Sequence, residues 1–472
     1  MNIALIRPPK INGAFEKILI QEPINLACLG AFLNLNGFKV VIWDFEVEPF
    51  SEIILQQKIT AANISIAGIT SMTPTVNNAH NIAALIKKNS PLVITIAGGA
   101  HVSAIPRQSL EEFPEFDYLV LREGELPMLK LCQHIAENKT PVGIPGIAFA
   151  KNGDINITMP DGYIENLDTL PFPDRKLLNR DLYKNMYAAG INTPGKKPTV
   201  VFTSRGCSQD CTFCAVKKTS GPKVRLRNAK NVIEELTICK EELGYNHITF
   251  EDTNFTLKQD RFIEICYGLK RLGLTWDCQT KVSLVNEKLI NIMKECGCLK
   301  IAYGVESGSP KILSLIKKNI TISQIKKAFE LTHQVKIVAC AFFILGAHPQ
   351  ENTEDIILTE KLIHVIKPDV FQLGIICPYP GTEIFRIMKE EGLITAIDWR
   401  NFNFMHANQP WGTRHLSAKD LIKFQKQIYM RYLLSPVFLG SLLLKMLNPH
   451  QAIKIIQLGF YMLKYLIFEK RR

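Results

Sequence analysis

Three cysteines, Cys207, Cys211 and Cys214, stand at Cys-x₃-Cys-x₂-Cys spacing and are the residues best suited to chemistry. Thiolates bind soft metals, and four of them complete a structural iron–sulfur cluster. This loop offers three, and no fourth cysteine stands near it in the sequence. A cubane held in this way keeps one iron open to a small chelating molecule, which indicates catalysis rather than electron transfer. The alternatives are three buried thiols or a zinc site, although zinc prefers four protein ligands.

The cysteine loop follows an apolar run at 198–206 that predicts a short buried strand leading into a glycine turn. This arrangement, with Phe213 directly before the last cysteine, resembles the radical S-adenosylmethionine (SAM) enzymes. The resemblance implies that the three cysteines hold a [4Fe–4S] cluster whose open iron binds the amino and carboxylate groups of SAM. It also implies that Phe213 lies beside the adenine, and that one electron cleaves SAM to a 5′-deoxyadenosyl radical.

The first part of the chain, residues 1–150, alternates short apolar runs with helical patterns. Strands are expected at 3–6, 39–44, 64–70, 92–97 and 117–121, and turn residues follow them. This alternation predicts an open parallel α/β sheet of the Rossmann or flavodoxin-like kind. Ligands of such sheets bind at the carboxyl ends of the strands. The residues that the sequence offers there are Thr70, Ser71, Gly98, Gly99, Gly124 and Glu125.

Several phrases in this part resemble the cobalamin-binding domain that precedes the radical core in one branch of the superfamily. They are Arg7-Pro8-Pro9, Gly98-Gly99-Ala100-His101 and Arg122-Glu123-Gly124-Glu125. The resemblance implies that the strand-end residues named above bind cobalamin. The sequence lacks the Asp-x-His-x-x-Gly motif whose histidine ligates cobalt. A flavodoxin-like domain without cobalamin is the alternative, and His101 is either a ligand or, more commonly for such a residue, a hydrogen-bonded loop side chain.

A proline-rich linker at 151–195 is expected to lead into a second α/β unit at 196–400. Six strand candidates alternate with amphipathic helices, which predicts a partial (β/α)₆ barrel with its chemistry at the strand ends. By resemblance, polar residues at two of these ends bind SAM, namely Glu251, Asp252, Gly304, Glu306 and Ser307. For each acid, a solvated loop end is the alternative interpretation.

The last segment, residues 401–472, is helical, apolar and basic by composition. Its two apolar runs, 433–444 and 455–468, fall short of the roughly 18 uncharged residues that span a bilayer. We expect them either to lie in the lipid interface or to pack on the barrel or a second chain. The net charge of +12 favours anionic partners. Scattered cysteines and the absence of a leader before the first strand predict a cytoplasmic protein, peripheral at the inner face of the membrane if the tail binds lipid.

The resemblance implies a cobalamin-dependent radical SAM enzyme that methylates an unactivated carbon of a small-molecule or lipid-like substrate. An electron donor such as flavodoxin or ferredoxin would supply the cluster's electron. A close variant uses the same cofactors for cyclisation or rearrangement. A tRNA methylthiotransferase is disfavoured because the N-terminal part has two cysteines, Cys28 and Cys132, where those enzymes hold a second cluster on three. We therefore expect no nucleic acid partner. An electron carrier or a cobalamin sensor would not cleave SAM.

Overall fold

The computed structural model describes residues 1–10, 20–183, 196–403 and 410–435 of the 472-residue chain. Two sheets organise it. The first has seven strands in the order β2-β1-β3-β4-β5-β6-β7. Its strands are β1 Asn2–Arg7, β2 Lys39–Asp44, β3 Ile66–Thr70, β4 Ile94–Gly98, β5 Tyr118–Val120, β6 Ile147–Lys151 and β7 Asp154–Thr158.

The first five strands are parallel and follow the 2-1-3-4-5 order of flavodoxin-like sheets. The expected open parallel sheet is therefore confirmed. Strands β6 and β7 extend it as an antiparallel hairpin, so the sheet reaches Thr158, beyond the expected boundary at residue 150. The hairpin joins the sheet because its first strand pairs with β5 at Leu119 and Val120.

Helices cover both faces of this first sheet. Along β1, Ile3 and Leu5 belong to one buried cluster while Ala4 and Ile6 belong to the other. Successive side chains of a strand point to opposite faces of the sheet, so this alternation shows that both faces are buried. The helices of this part are α1 Ile24–Leu35, α2 Glu52–Ala61, α3 Val76–Asn89, α4 Ala100–Ala104, α5 Pro106–Glu112 and α6 Glu125–Ala136.

The second sheet has six parallel strands in sequential order, from β8 at one edge to β15 at the other. This is the expected partial barrel. A two-residue antiparallel ribbon, β9 Ser204–Arg205 with β10 Arg225–Leu226, follows the first of its strands. The sheet strands are β8 Pro198–Val201, β11 His247–Phe250, β12 Thr275–Thr280, β13 Cys298–Glu306, β14 Val338–Leu345 and β15 Val370–Ile375.

Helices between these strands begin at side-chain caps that the sequence signals clearly. Asn228, Asn286 and Thr321 each accept a hydrogen bond from a backbone N–H in the first turn of the helix they precede. The helices are α7 Val216–Ser220, α8 Ala229–Thr237, α9 Gln259–Arg271, α10 Glu287–Glu295, α11 Pro310–Leu315, α12 Ile322–Gln334, α13 Thr353–Ile366, α14 Glu383–Glu390 and α15 Ala418–Leu433.

Helix α15, in the expected helical tail, packs against the edge strand β15. Gln425 Nε2 donates to the Leu373 carbonyl at 2.7 Å, and Tyr429 Oη accepts from the Leu373 N–H at 2.8 Å. The described part of the tail thus packs on the barrel. The apolar runs at 433–444 and 455–468 lie outside the described residues apart from 433–435. Among the described helices, none is both long enough and apolar enough to cross a bilayer.

Buried polar contacts join the two sheets. Glu22, just before α1, accepts hydrogen bonds at 2.5 Å from the hydroxyls of Thr199 and Tyr245 in the barrel. Arg175, in the connector, pairs with Glu235 at 2.7 Å and donates to the Val200 carbonyl. Because every one of these side chains is buried, the first sheet and the barrel are held in a defined relation.

Candidate active site

The cysteine loop begins at a backbone turn that needs glycine. Gly206 has φ +88°, and a Cβ there would overlap the carbonyl oxygen of Lys223. The next residue, Cys207, donates its N–H to the Gly221 carbonyl at 3.1 Å, and Thr212 donates its N–H to the Ile316 carbonyl at 3.1 Å. These bonds tie the loop to the β9–β10 ribbon on one side and to the end of α11 on the other.

The three thiols are compatible with a cubane. Cys207 is buried, while Cys211 and Cys214 are partly exposed. Within the described ranges, no three histidine, cysteine, aspartate or glutamate side chains converge on one point that would hold a single metal ion. A cubane takes each thiolate at a separate corner and needs no such convergence. Burial raises the pKa of Cys211 to about 11, so bound iron would supply the charge that ionises it.

A lysine that the sequence analysis missed stands beside the loop. Lys318 Nζ lies 2.6 Å from Glu306 Oε1 and 6.0 Å from the centre of the Phe213 ring. Burial alone lowers the pKa of Lys318, but the Glu306 carboxylate and the nearby thiols outweigh it, so the pKa lies above its usual value. The ammonium group of Lys318 thus lies near both the Glu306 carboxylate and the Phe213 ring. No sequence pattern marks this lysine, because the turn that follows α11 returns it to the end of β13.

The backbone around Glu306 is built for this approach. Glu306 has φ +66°, which is unusual for a residue with a side chain. A Cβ on Gly304 would lie 2.5 Å from Glu306 Oε1 and 2.7 Å from Lys318 Nζ, so a larger residue there would displace the ends of these two side chains. Ser307 is fully buried, and its hydroxyl lies 3.2 Å from that of Thr359. Its described contacts are therefore internal, and its role in SAM binding stays a prediction.

The two neighbouring acids after β11 differ in their surroundings. Asp252 is buried and accepts hydrogen bonds from the Thr203 N–H and the Ser204 hydroxyl, which organises the approach to the cysteine loop. Glu251 instead lines a cavity, where Gln21 and Gln279 donate to its two oxygens at 2.9 and 3.0 Å. Burial raises the pKa of both carboxyl groups. Neither is a solvated loop end.

This cavity, of about 580 Å³, lies where the first sheet, the connector and the barrel meet. Its size falls within the range of small-molecule and cofactor sites. Five predicted cobalamin residues line it, namely Thr70, Gly98, Gly99, Gly124 and Glu125. Pro171, Phe172 and Pro173 of the connector form a further wall, and Ser204, Arg205 and Gly206 bring the start of the cysteine loop to its edge.

The wall made by the first sheet fits a large flat ligand such as cobalamin. Gly99 has φ +107°, and a Cβ there would lie 2.7 Å from the Ser71 carbonyl oxygen, so only glycine leaves this turn flat. Ser71 itself is fully buried, and its hydroxyl donates to the Gly98 carbonyl at 2.9 Å, so it shapes the turn from behind. Glu125 lines the cavity but is paired with Arg205 at 2.6 Å.

His101 does not face the cavity. Its ring is fully buried, with its centre 4.7 Å from that of Trp399, and Nδ1 lies 3.3 Å from the Thr73 hydroxyl. Burial lowers its pKa from 6.5 to about 3, so the imidazole is neutral. Of its two expected roles, the hydrogen-bonded side chain agrees with these contacts, although the residue lies in helix α4 and not in a loop.

Comparisons with known proteins agree with both halves of this site. Residues 201–363 match the model of the radical SAM superfamily, and residues 19–131 match that of the B12 binding domain. The uncharacterized methyltransferase PH0819 of Pyrococcus horikoshii is 31% identical over 92% of this chain and 93% of its own length. The anaerobic magnesium-protoporphyrin IX monomethyl ester cyclase of Rubrivivax gelatinosus is 28% identical over 86% of this chain and 73% of its own.

Among solved structures, the radical SAM methyltransferase TsrM from Kitasatospora setae, with tryptophan and a SAM analogue bound, superposes with a TM-score of 0.71. The alignment covers 92% of this chain and 89% of that one, at 16% identity, and it supports the fold. The domain order, the three-cysteine loop and the cavity beside it agree with the sequence matches. This chain therefore belongs to the cobalamin-binding radical SAM enzymes, whose cofactors are a [4Fe–4S] cluster, SAM and cobalamin.

Proposed function

We propose that this protein is a methyltransferase that attaches a methyl group to an unactivated carbon of an apolar small molecule. The observation that carries the proposal is the single cavity joining the strand ends of the first sheet to the edge of the cysteine loop. When bound, cobalamin supplies a methyl carrier and the cluster cleaves SAM to a hydrogen-abstracting radical. A substrate carbon placed in this cavity would be accessible to both.

The residues of the chain have separable tasks in this proposal. Cys207, Cys211 and Cys214 hold the cluster, and Phe213 with the Lys318–Glu306 pair forms the polar and aromatic edge on which SAM rests. Gly98 and Gly99 leave room for the corrin. The apolar side chains of Leu5, Ile96, Val120 and Met128 make much of the cavity wall. A wall of this kind favours an apolar or lipid-like substrate through burial of apolar surface.

Cyclisation or rearrangement with the same cofactors is the second candidate, and the cyclase from Rubrivivax gelatinosus among the relatives favours it. The two reactions differ in how SAM is consumed. Methyl transfer uses one SAM as methyl donor, which leaves S-adenosylhomocysteine, and a second as radical source, which leaves 5′-deoxyadenosine. Cyclisation leaves 5′-deoxyadenosine alone.

The test uses anaerobically reconstituted protein with cobalamin, a reductant, trideuteromethyl-SAM and an apolar extract of the cells that make the protein. We expect S-adenosylhomocysteine and 5′-deoxyadenosine in equal amounts and a product heavier by one labelled methyl group. Formation of 5′-deoxyadenosine without S-adenosylhomocysteine would refute methyl transfer and favour the cyclase. The Cys211→Ala variant is the control, because loss of a cluster ligand should abolish 5′-deoxyadenosine. Replacing the chemical reductant by flavodoxin or ferredoxin in the same assay tests the proposed electron donor.

A further inference from the structure

Two carboxylates face the β9–β10 ribbon, one in the turn between β5 and α6 and one on the first residue of α6. Glu123 takes a two-pronged contact from Arg225, with Nη2 to Oε1 at 2.7 Å and Nη1 to Oε2 at 2.9 Å. Glu125 Oε1 lies 2.6 Å from Arg205 Nη2. We call these four residues, Glu123, Glu125, Arg205 and Arg225, the ion-pair clamp. A planar guanidinium that meets a carboxylate at two points fixes orientation as well as distance.

The Arg225–Glu123 half of the clamp is buried and held by several hydrogen bonds, whereas the Arg205 side chain is 24% exposed. The side chains of Arg225 and Glu123 are 2% and 9% exposed. Arg225 also donates to the carbonyls of Ile164 and Ser220, each at 2.7 Å, and Glu123 Oε2 accepts from the Ile164 N–H at 3.0 Å. Such buried pairs are weak contributors to net stability because desolvation offsets their attraction. The geometric effect of the Arg225–Glu123 pair is strong, because each of its two side chains is held from more than one side.

The clamp connects the two cofactor sites. Glu123, Gly124 and Glu125 line the cavity on the side of the first sheet. On the other side, Arg205 directly precedes Gly206 and the cluster ligand Cys207. Arg225 lies opposite Arg205 in the ribbon. A displacement at either end would therefore change the separation between the cavity wall made by the first sheet and the cysteine loop.

We infer that Glu123, Glu125, Arg205 and Arg225 are positioning residues that set the separation between bound cobalamin and the iron–sulfur cluster. The inference rests on the two cofactors of the family and not on methyl transfer, so it stands whichever reaction the enzyme catalyses. Reactive groups must be held within about 0.5 Å of their working geometry. The ion-pair clamp, whose Arg225–Glu123 pair is buried, links the two sites and meets this need.

The test is Glu123→Gln, which keeps the shape of the side chain and removes the charge that both arginines face. Cobalt(II) in bound cobalamin and the reduced cluster are both paramagnetic, and the cluster speeds relaxation of the cobalt signal more strongly the closer it lies. Pulsed electron paramagnetic resonance of the doubly loaded protein therefore measures their separation without any substrate. The control is Lys223→Gln, which breaks the exposed Lys223–Glu165 pair, 71% and 67% exposed, between the segment just before β10 and the connector.

We expect Glu123→Gln to bind both cofactors at wild-type stoichiometry and to show a weaker and more heterogeneous relaxation enhancement, while Lys223→Gln matches the wild type. If Glu123→Gln fails to hold a cluster, Glu125→Gln carries the test, because it leaves the two-pronged Arg225–Glu123 contact in place. Wild-type relaxation in the loaded variants would overturn the inference. Loss of the cluster in both variants would overturn it as well, because the clamp would then only hold the ribbon together.

Discussion

Replacing Lys318 by methionine tests the polar edge of the proposed SAM site. The substitution keeps the length of the side chain and removes the ammonium 2.6 Å from Glu306 Oε1. The two side chains are 15% and 8% exposed, so Glu306 would be left as a buried carboxylate without this partner. The adjacent Lys317 offers a matched control, because it pairs with Glu383 at 2.7 Å while the side chains are 47% and 36% exposed.

The expected magnitudes follow from this difference in burial. Removing one partner of a buried pair costs about 3–5 kcal/mol in the free energy of unfolding, because the other charge stays buried without compensation. Removing one partner of an exposed pair costs about 0–1 kcal/mol. Lys318→Met should therefore destabilise the protein several times more than Lys317→Met. Adding Glu306→Gln to Lys318→Met should recover part of the loss, because the uncompensated charge is removed.

The assay is anaerobic urea unfolding of cluster-loaded protein, followed by circular dichroism, with SAM affinity measured on the same samples. The midpoint should shift while the slope with urea stays constant, since the surface exposed on unfolding does not change. SAM binding should weaken in Lys318→Met and stay unchanged in Lys317→Met. Equal and small losses of stability in the two variants would refute the buried pair. Unchanged SAM affinity in Lys318→Met would refute its place at the SAM site.

Three further predictions follow from single residues. Gly99→Ala should lower cobalamin affinity and cost more than about 1 kcal/mol in the free energy of unfolding, because φ is +107° and the new Cβ would clash with Ser71. Gly37→Ala is the control for the backbone cost alone, because Gly37 has φ +86° and open space around it. Burial raises the pKa of Glu351 from 4.5 to about 8, so the folded state holds a proton that the unfolded chain releases. The free energy of unfolding should therefore fall by about 1.4 kcal/mol per pH unit as the pH rises through this window. Urea titrations at several pH values should show this slope in the wild type and not in Glu351→Gln. The pKa of His101 is lowered from 6.5 to about 3. As the pH falls, this histidine is protonated first in the unfolded chain, so the folded state loses stability between pH 6.5 and about 3. The thermal unfolding temperature of His101→Phe should therefore depend less on pH over this range. A variant whose pH profile matches the wild type would contradict the burial of that group.

Most of the fold could be predicted from the sequence because its strands are uninterrupted apolar runs closed by turn residues. The strand expected at 39–44 is observed as Lys39–Asp44, and one of the expected amphipathic helices between barrel strands begins at Thr353, after the Asn352 cap. The pairing of the β6–β7 hairpin with β5 was not predicted. That pairing depends on which edge of the sheet is free, and this is a property of the assembled sheet.

The site could be predicted only as far as residue type and strand end define it. The cysteines, Gly99 and Glu306 were predicted in this way. Lys318 was missed because a single lysine in a turn carries no pattern until the turn brings it to Glu306. The pairing of Glu125 with Arg205 was hidden for a similar reason, since its partner lies in the other half of the chain. An acid at a strand end does not reveal in the sequence whether its oxygens face a ligand or another side chain.

The most direct measurement for the whole account is the iron, sulfide, zinc and cobalt content of protein purified without oxygen and supplied with cobalamin. We predict about four iron and four sulfide per chain from the three-cysteine loop, together with one cobalt from the cavity beside it. Zinc without sulfide would contradict the iron–sulfur cluster. A full cluster without cobalt would contradict cobalamin binding in the cavity.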